Sequence, residues 1–400
     1  MSLRLGLAAM GLVTPLGRGK EATVGPLFDG SRHGLVSDSS LIPGRTVPVG
    51  RVACELPQIP RALADYHCRN NRLMLAALDE IADDIAATAR RVGPERVAVV
   101  LGTSTAGIAE GEAAYTAFRR DGGWPPEFRY RQQENGNLAD FAARALGLTG
   151  PAYTVATACS SGGKSFASAR RLIATGLCEA AVVGGADSLC RLTLNGFHAL
   201  EAVSSRPCNP FSANRDGINI GEGAAAFLLV RDPAPVMLLG IGEGSDAHHV
   251  SAPDPTGAGA AAAMRLALDD AGLTPADIAY VNLHGTATAL NDAMESRAMA
   301  TVFPRGVPCS STKAMTGHLL GAAGACEAAF LWLALHPGFN AGRLPPHLWD
   351  GVADAGLPPL ALVAAGTAWP DVDRQAMLSN SFAFGGNNLA LVLGRGREAP

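Results

Sequence analysis

VAVVLGTST at residues 97–105 and IAYVNLHGTAT at 278–288 are two versions of one segment, an apolar run that opens into a Thr-bearing turn. Working outward, further pairs recur in the same order. LRLGLAAMG from residue 3 is echoed by VMLLGIGEG from 236, AAVVGGADS at 180–188 by ALVAAGTAW at 361–369, and AAFLLVRD at 225–232 by LALVLGRG at 389–396. Ordered self-similarity of this kind is the mark of a duplicated unit. Short Val/Ala/Leu runs bounded by Gly alternate with longer Ala-rich segments, which predicts buried parallel strands covered by helices on both faces. The Asp-Pro-Ala-Pro stretch at 232–235 places a seam, because Pro closes one strand and restricts the residue before it. The halves are then 1–235 and 236–400. Extra length in the first half falls at 104–140 and 190–220, predicting long loops that shape a substrate tunnel and a dimer contact.

With 48% hydrophobic residues, 47 Gly and 17% charged residues, the 400-residue chain reads as a packed α/β protein with a folded site, neither disordered nor fibrous. A net charge of −4 and no long Lys/Arg run argue against a nucleic-acid surface, which needs clustered cations. The eight Cys, from Cys54 to Cys326, show no CxxC spacing, which predicts free thiols in a cytoplasmic setting and no zinc ribbon or other metal site. MSLRLGLAAMGLVTPLG at the start reads as a strand and turn, because Gly, Thr and Pro interrupt the apolar run that a secretory signal needs. The apolar stretch Leu319 to His336 carries Glu327 and falls short of the ~20 residues of a bilayer span, which predicts a buried helix and no membrane span.

In TVATACSSGGKSFASARRLIATG a β-branched run gives way to a helical pattern just after Ser160, placing Cys159 at a strand-to-helix elbow. The positive end of a helix favours thiolate, and the small neighbours Ser160, Ser161, Gly162 and Gly163 leave room for a thioester. Taken alone, a Cys is as readily a small buried hydrophobe. The second half supplies company. His284 ends an apolar strand, where α/β sites gather. Lys313 and His318 precede a long apolar helix that carries Glu327. Phe384 sits in the Gly-rich loop NSFAFGGNN at 380–388, whose backbone N–H groups suit an oxyanion. A lone His is as often core as site, and a lone Lys is usually solvated. Brought to strand and helix ends of two equivalent halves, these residues predict one shared centre.

These residues resemble the carrier-protein-dependent elongating ketosynthases of the thiolase superfamily, over essentially the whole chain. The signatures are TACSS around Cys159, NPFSANRDG(x3)GEGAA from 209 to 225, HGTAT(x2)ND from 284 to 292, STKAMTGHLLGAAGACE from 311 to 327, and NSFAFGG from 380 to 386. The resemblance implies a thiolase fold, with duplicated βαβαβαββ halves in a five-layered αβαβα arrangement. It implies β-ketoacyl-[acyl-carrier-protein] synthase activity without a cofactor or metal. Cys159 would accept the acyl group, its oxyanion held by the N–H groups of Cys159 and Phe384, with Phe384 also a gate. His284 and His318 would bind the malonyl thioester as it decarboxylates. Lys313 paired with Glu327 would set the second His, and Asp292 and Glu295 would brace the loop after His284. Implied partners are acyl carrier protein, acyl and malonyl thioesters, and either an identical subunit or a Cys-lacking, chain-length-factor-like relative.

The chain departs from the usual pattern at Ala287, Ala383 and Asn387, which implies an altered gate or acyl pocket. It has Asn209 where Arg often helps grip the carrier, leaving Arg69, Arg72, Arg129 and Arg131 as candidate docking cations. SLCRLTLNGFHALEAVSSRPCNPFSANRDGINIGEGAA and GTSTAGIAEGEAAY are similar to ketosynthases of bacterial aryl polyene clusters. Housekeeping fatty acid elongation is the alternative pathway. A noncatalytic partner subunit would lack Cys159. A degradative thiolase needs a second Cys near the carboxyl end, and none comes after Cys326. The initiating ketosynthase type carries Asn where this chain has His318.

Overall fold

The computed structural model describes residues 3–340, 342–369 and 376–396; residues 1–2 and 397–400, the outer ends of the two expected halves, lie outside the described residues. Ten strands of its 12-stranded sheet build the framework: β1 Leu5–Thr14, β2 Val97–Gly102, β3 Ala152–Val155, β4 Ala180–Asp187, β5 Gly223–Val230, β6 Val236–Ser245, β7 Ile278–Asn282, β8 Pro308–Ser310, β9 Ala376–Ala383 and β10 Asn387–Arg395. Their order is β8-β7-β9-β10-β6-β1-β5-β4-β2-β3. From the middle outward, the first half runs β1-β5-β4-β2-β3 and the second β6-β10-β9-β7-β8. One topology is thus written twice. Leu5↔Leu238 and Gly6↔Met237 are the pairings that join the two half-sheets.

The helices that place the site are α1 Arg69–Asp79, α2 Asn137–Leu146, α3 Ser161–Ala174, α4 Arg191–Ala199, α5 Ala258–Ala271, α6 Ala289–Val302 and α7 Ala323–Leu335. Helices α3 and α7 form the middle layer, packed on each other and against strands of both half-sheets. Helix α7 is buried along its whole length. A helix apolar all round has no solvent face to offer, and this one needs none. Its side chains join Leu5, Leu7, Phe166, Phe227 and Leu391 in one core between the sheets. Helices α1 and α2 cover the outer face of the first half-sheet, and α5 with α6 cover that of the second. The five layers and the parallel β2-β4 and β7-β9 pairings accord with the expected fold class.

One echo was misassigned. The counterpart of β4 is β9, whereas residues 361–369 hold only the short edge strand Ala361–Leu362 beside β8. Strand β9 reads AMLSNSFA, and its buried Ser379, Asn380 and Ser381 hid it from an apolar-run search. Among the described residues no helix is long and apolar enough to cross a membrane.

Candidate active site

Strand β3 ends at Val155, and the chain turns sharply before α3. Ser161 Oγ fastens this elbow, accepting from Thr157 N (2.8 Å) and donating to Ala158 O (2.6 Å). Ala158 is left-handed at φ +51°, a conformation that costs a non-glycine residue about 1–2 kcal/mol and presents the next side chain outward from the turn. That side chain is Cys159. Across the middle layer, β7 delivers His284 and the turn before α7 delivers His318, at ring centroids 5.2 Å apart and nearly perpendicular. Cys159, His284, His318 and Phe384 line one cavity of about 370 Å³. Its walls are mostly apolar, with Phe197, Leu200, Ile218, Leu290 and Phe382 among them.

Burial pushes the Cys159 thiol up to about 12, against the pull of the Lys313 charge and of the Phe384 and Cys159 N–H groups at the sulfur. The helix end therefore does not leave a standing thiolate; desolvation prevails and the thiol is the resident form. Burial and the nearby Lys313 charge hold both imidazoles well below the usual histidine range, with His318 depressing His284 further. They are neutral at pH 7. His284 Nδ1 and both ring nitrogens of His318 are buried without a hydrogen-bond partner among the described residues. Such atoms cost free energy unless something else in the site bonds to them, and a thioester carbonyl is of the right kind.

Buried carboxylates hold these loops. Glu295 accepts from His284 N (2.8 Å) and Gly285 N (2.7 Å), and Asn380 Nδ2 donates to it at 3.1 Å. Asp292 accepts from Ala287 N (3.2 Å) and from Phe211 N (2.7 Å). Desolvation raises Glu295 to about 7 and Asp292 to about 6. Lys313 Nζ meets Glu327 Oε1 beneath the cavity, both side chains almost fully enclosed. A single charge in α7 would carry a desolvation penalty of several kcal/mol, and pairing offsets much of it.

Ala287 is fully buried at φ +64°, so the substitution noted in HGTAT falls where glycine would be unstrained. Ala383 lines the cavity, and Asn387 Oδ1 accepts from Lys164 Nζ at 3.3 Å, tying the loop after Phe384 to α3. Phe384 is 36% exposed and leans on Phe197 with centroids 5.4 Å apart. Gly385 N donates to Val250 O, joining this loop to the 246–253 segment at the cavity rim.

Two expectations change. Segment 190–220 lines the cavity through Phe197, Leu200–Ala202 and Arg215–Ile218, but segment 104–140 does not reach it. It folds back on itself, Gly107 N donating to Gln132 O at 2.9 Å. Of the proposed docking cations, Arg69 grips the buried Glu222 at 2.6 and 2.7 Å and Arg72 donates to Leu56 O and Pro57 O. Both guanidinium groups are engaged within the fold. Arg129 and Arg131 are about half exposed beside Asp65 and Tyr66. Asn209 Oδ1 accepts from Asp350 N, a local role that needs no charge. The sequence reading missed Asp187, Phe197 and Leu290; the first was indistinguishable from any strand-end carboxylate, and the others carry no chemistry of their own to mark them.

Comparisons with known proteins agree with this geometry. The chain is 39% identical over 267 residues to the mitochondrial 3-oxoacyl-[acyl-carrier-protein] synthase of Arabidopsis thaliana, covering 62% of this chain and 57% of that enzyme. It is 34% identical over 264 residues to 3-oxoacyl-[acyl-carrier-protein] synthase 2 of Staphylococcus aureus, covering 62% of this chain and 64% of that one. The chain thus spans less than two thirds of the length of these two relatives. A solved ketosynthase (ApeO) in complex with its chain length factor (ApeC) from Xenorhabdus doucetiae superposes with a TM-score of 0.93 at 44% identity, over 98% of each chain. The fold is that of the thiolase superfamily. Residues 7–234 match the family described as "Beta-ketoacyl synthase, N-terminal domain" and residues 236–348 its "C-terminal domain"; the chain belongs to the beta-ketoacyl synthase family.

Proposed function

We propose that this chain is a β-ketoacyl-[acyl-carrier-protein] synthase that extends aryl polyene chains by decarboxylative condensation. The observation that carries the reading is the meeting of Cys159, His284 and His318 in one apolar cavity, with two backbone N–H groups at the sulfur. The Cys159 thiol loses its proton as it attacks the acyl thioester, and the oxyanion rests on the N–H groups of Cys159 and Phe384. The proton passes through a neutral imidazole to the departing carrier sulfur, which leaves as the thiol. The malonyl thioester carbonyl then takes hydrogen bonds from His284 and His318. Its carboxylate leaves as carbon dioxide, and the released electron pair forms an enolate. The enolate carbon attacks the acyl carbonyl on Cys159, the carbon–sulfur bond breaks, the released thiolate takes up one proton from solvent to restore the resting thiol, and a β-ketoacyl thioester two carbons longer departs. Lys313 with Glu327 sets the electrostatics under His318; Asp292 and Glu295 hold the His284 loop. No metal or organic cofactor takes part.

The two halves, 1–235 and 236–400, act as one unit, a division supported by their identical strand order. The partners are an acyl carrier protein, met in part by Arg129 and Arg131, and a second thiolase-fold subunit. Edge strand β3 supports the latter, because its Ala152 and Tyr153 lie open at the end of the sheet, beside the Cys159 elbow. The X. doucetiae ketosynthase was solved with its chain length factor, which favours a Cys-lacking relative over an identical chain here. We place the enzyme in the cytoplasm, consistent with its reduced cysteines. Housekeeping fatty acid elongation is the second reading, favoured by the names of the 34–39% identical relatives. Intact-mass detection of acyl adducts, after incubation with matched aryl polyenoyl and saturated acyl carrier thioesters, separates the two. Preferential aryl polyenoyl loading supports the proposal; preferential saturated loading assigns housekeeping elongation, and no adduct on Cys159 overturns both.

A further inference from the structure

Counted from the ends of β2 and β7, Ser104 corresponds to His284 and Thr105 to Gly285. In the second half the N–H groups at these two positions are held by the buried carboxylate of Glu295. In the first half they are held by the buried carboxylate of Asp187, whose Oδ1 accepts from Ser104 N (2.8 Å) and Thr105 N (2.9 Å). The same oxygen also accepts from Thr103 Oγ1 (2.7 Å) and Thr105 Oγ1 (2.8 Å). Its other oxygen, Oδ2, accepts from Gly321 N, in the turn that comes after His318. Ser104 Oγ in turn donates to Ala158 O (3.2 Å), the carbonyl immediately before Cys159.

One carboxylate therefore touches three things that must keep register: the first-half loop, the nucleophile elbow through Ser104, and the His318 turn through Gly321. The packing leaves no slack. A Cβ on Gly321 would come within 2.5 Å of Ser104 Oγ and 2.8 Å of Asp187 Oδ2, and one on Gly162 within 2.8 Å of Gly321 O. Both flanking turns hold a non-glycine residue in the left-handed region, Ala158 at φ +51° and Leu320 at +49°. Strained turns of this kind persist only where their surroundings over-determine them.

We propose that Asp187 is a positioning residue that clamps the Cys159 elbow to the His318 turn, the first-half counterpart of Glu295. It touches no reacting atom. Its importance for catalysis rests on the roles proposed for Cys159 and His318; the clamp itself does not. The clamp is kept despite an electrostatic cost, since the Asp187 charge opposes thiolate formation at Cys159 while Lys313 favours it. The charged or titratable groups bearing on the thiol are thus Lys313 and Asp187, with the neutral rings of His284 and His318 on the same cavity.

The test measures iodoacetamide labelling of Cys159 by peptide mass mapping across pH, which needs no substrate, alongside condensation per acyl-enzyme. Asp187→Asn keeps the shape, removes the charge and replaces one acceptor with a donor. At pH 8 its Cys159 is labelled about tenfold faster, the profile moving to lower pH, while condensation per acyl-enzyme falls about tenfold or more as the His318 turn drifts. Ser104→Ala, which cuts the elbow tie and leaves the charge, leaves the pH profile in place. Wild-type labelling, or a wild-type ratio of condensation to acylation, in an Asp187→Asn protein that melts as wild type overturns the proposal. Should that variant not fold, Thr105→Val removes one donor to the same oxygen; a several-fold drop in condensation per acyl-enzyme supports the clamp, and no drop overturns it. Wild-type protein that labels normally yet never acylates defeats the ketosynthase reading instead, with the labelling arm still deciding the clamp.

Discussion

The two halves share a strand order yet carry different side chains at the ends of equivalent strands. After β3 the first half turns through Cys159 into α3; after β8 the second half turns through Lys313 and His318 into α7. After β2 comes Thr103-Ser104-Thr105, a set of hydrogen-bond donors; after β7 comes His284. Each loop hangs from a buried carboxylate, Asp187 in one half and Glu295 in the other. Duplication thus supplies two matching frames facing one middle layer. In the proposed mechanism, divergence at a few strand-end positions makes one frame nucleophilic and the other a hydrogen-bonding clamp. Neither half could host the reaction alone.

The comparison can be broken most sharply at the nucleophile. Cys159→Ala removes the only reactive group the first half is assigned, and intact mass should find no acyl adduct at all; an adduct on another residue would undo the division of labour. The middle helices differ next, since α3 keeps Lys164 and Arg170 in partly exposed pairs with Glu243 and Asp270 whereas α7 buries Glu327 against Lys313. Glu327→Ala strands the lysine charge and should lower unfolding stability by about 3–5 kcal/mol, read from denaturant midpoints. Glu295→Gln places a donor where His284 N or Gly285 N needs an acceptor, so condensation should fall about 10- to 100-fold with acylation nearly intact. The smallest expected effect is the absence of one. Because the imidazoles are held well below 6.5, they remain neutral as pH falls through that value. The imidazoles should therefore contribute no inflection at 6.5 to condensation from preformed acyl-enzyme, their protonation costing activity only at more acid pH, whereas Glu295 and Asp292, raised to about 7 and about 6, are the groups that titrate nearby. A midpoint at 6.5 that persists in both Glu295→Gln and Asp292→Asn would mean that at least one ring is solvated.

Much of the frame was legible in the sequence, because buried strands announce themselves as short apolar runs and a duplication repeats them in order. The reading failed at β9, where Ser379, Asn380 and Ser381 are buried and Asn380 Nδ2 donates to Glu295, an acceptor 85 residues away in sequence that only the tertiary fold supplies. Motif residues were identifiable because strand-end Cys and His carry chemistry in their side chains. Asp187 was invisible for the opposite reason: its role is to receive backbone N–H groups from loops up to 134 residues away in sequence. The resting state of the thiol was not legible: a local rule about helix ends gives the direction of one influence, and burial among the full set of neighbours pushes the thiol the other way. The internal partners of Arg69 were hidden in the same way, since acceptors such as Glu222 arrive from distant segments.

The central claim is that the first half binds the acyl chain covalently and the second half drives decarboxylation. His284→Ala tests it most directly, with acyl-enzyme and β-ketoacyl product tracked by mass in the same reaction. The account predicts an acyl-Cys159 level near that of wild type and a product rate lower by about 10²-fold or more. Product formation at the wild-type rate, or failure to acylate at all in a folded His284→Ala protein, would contradict it.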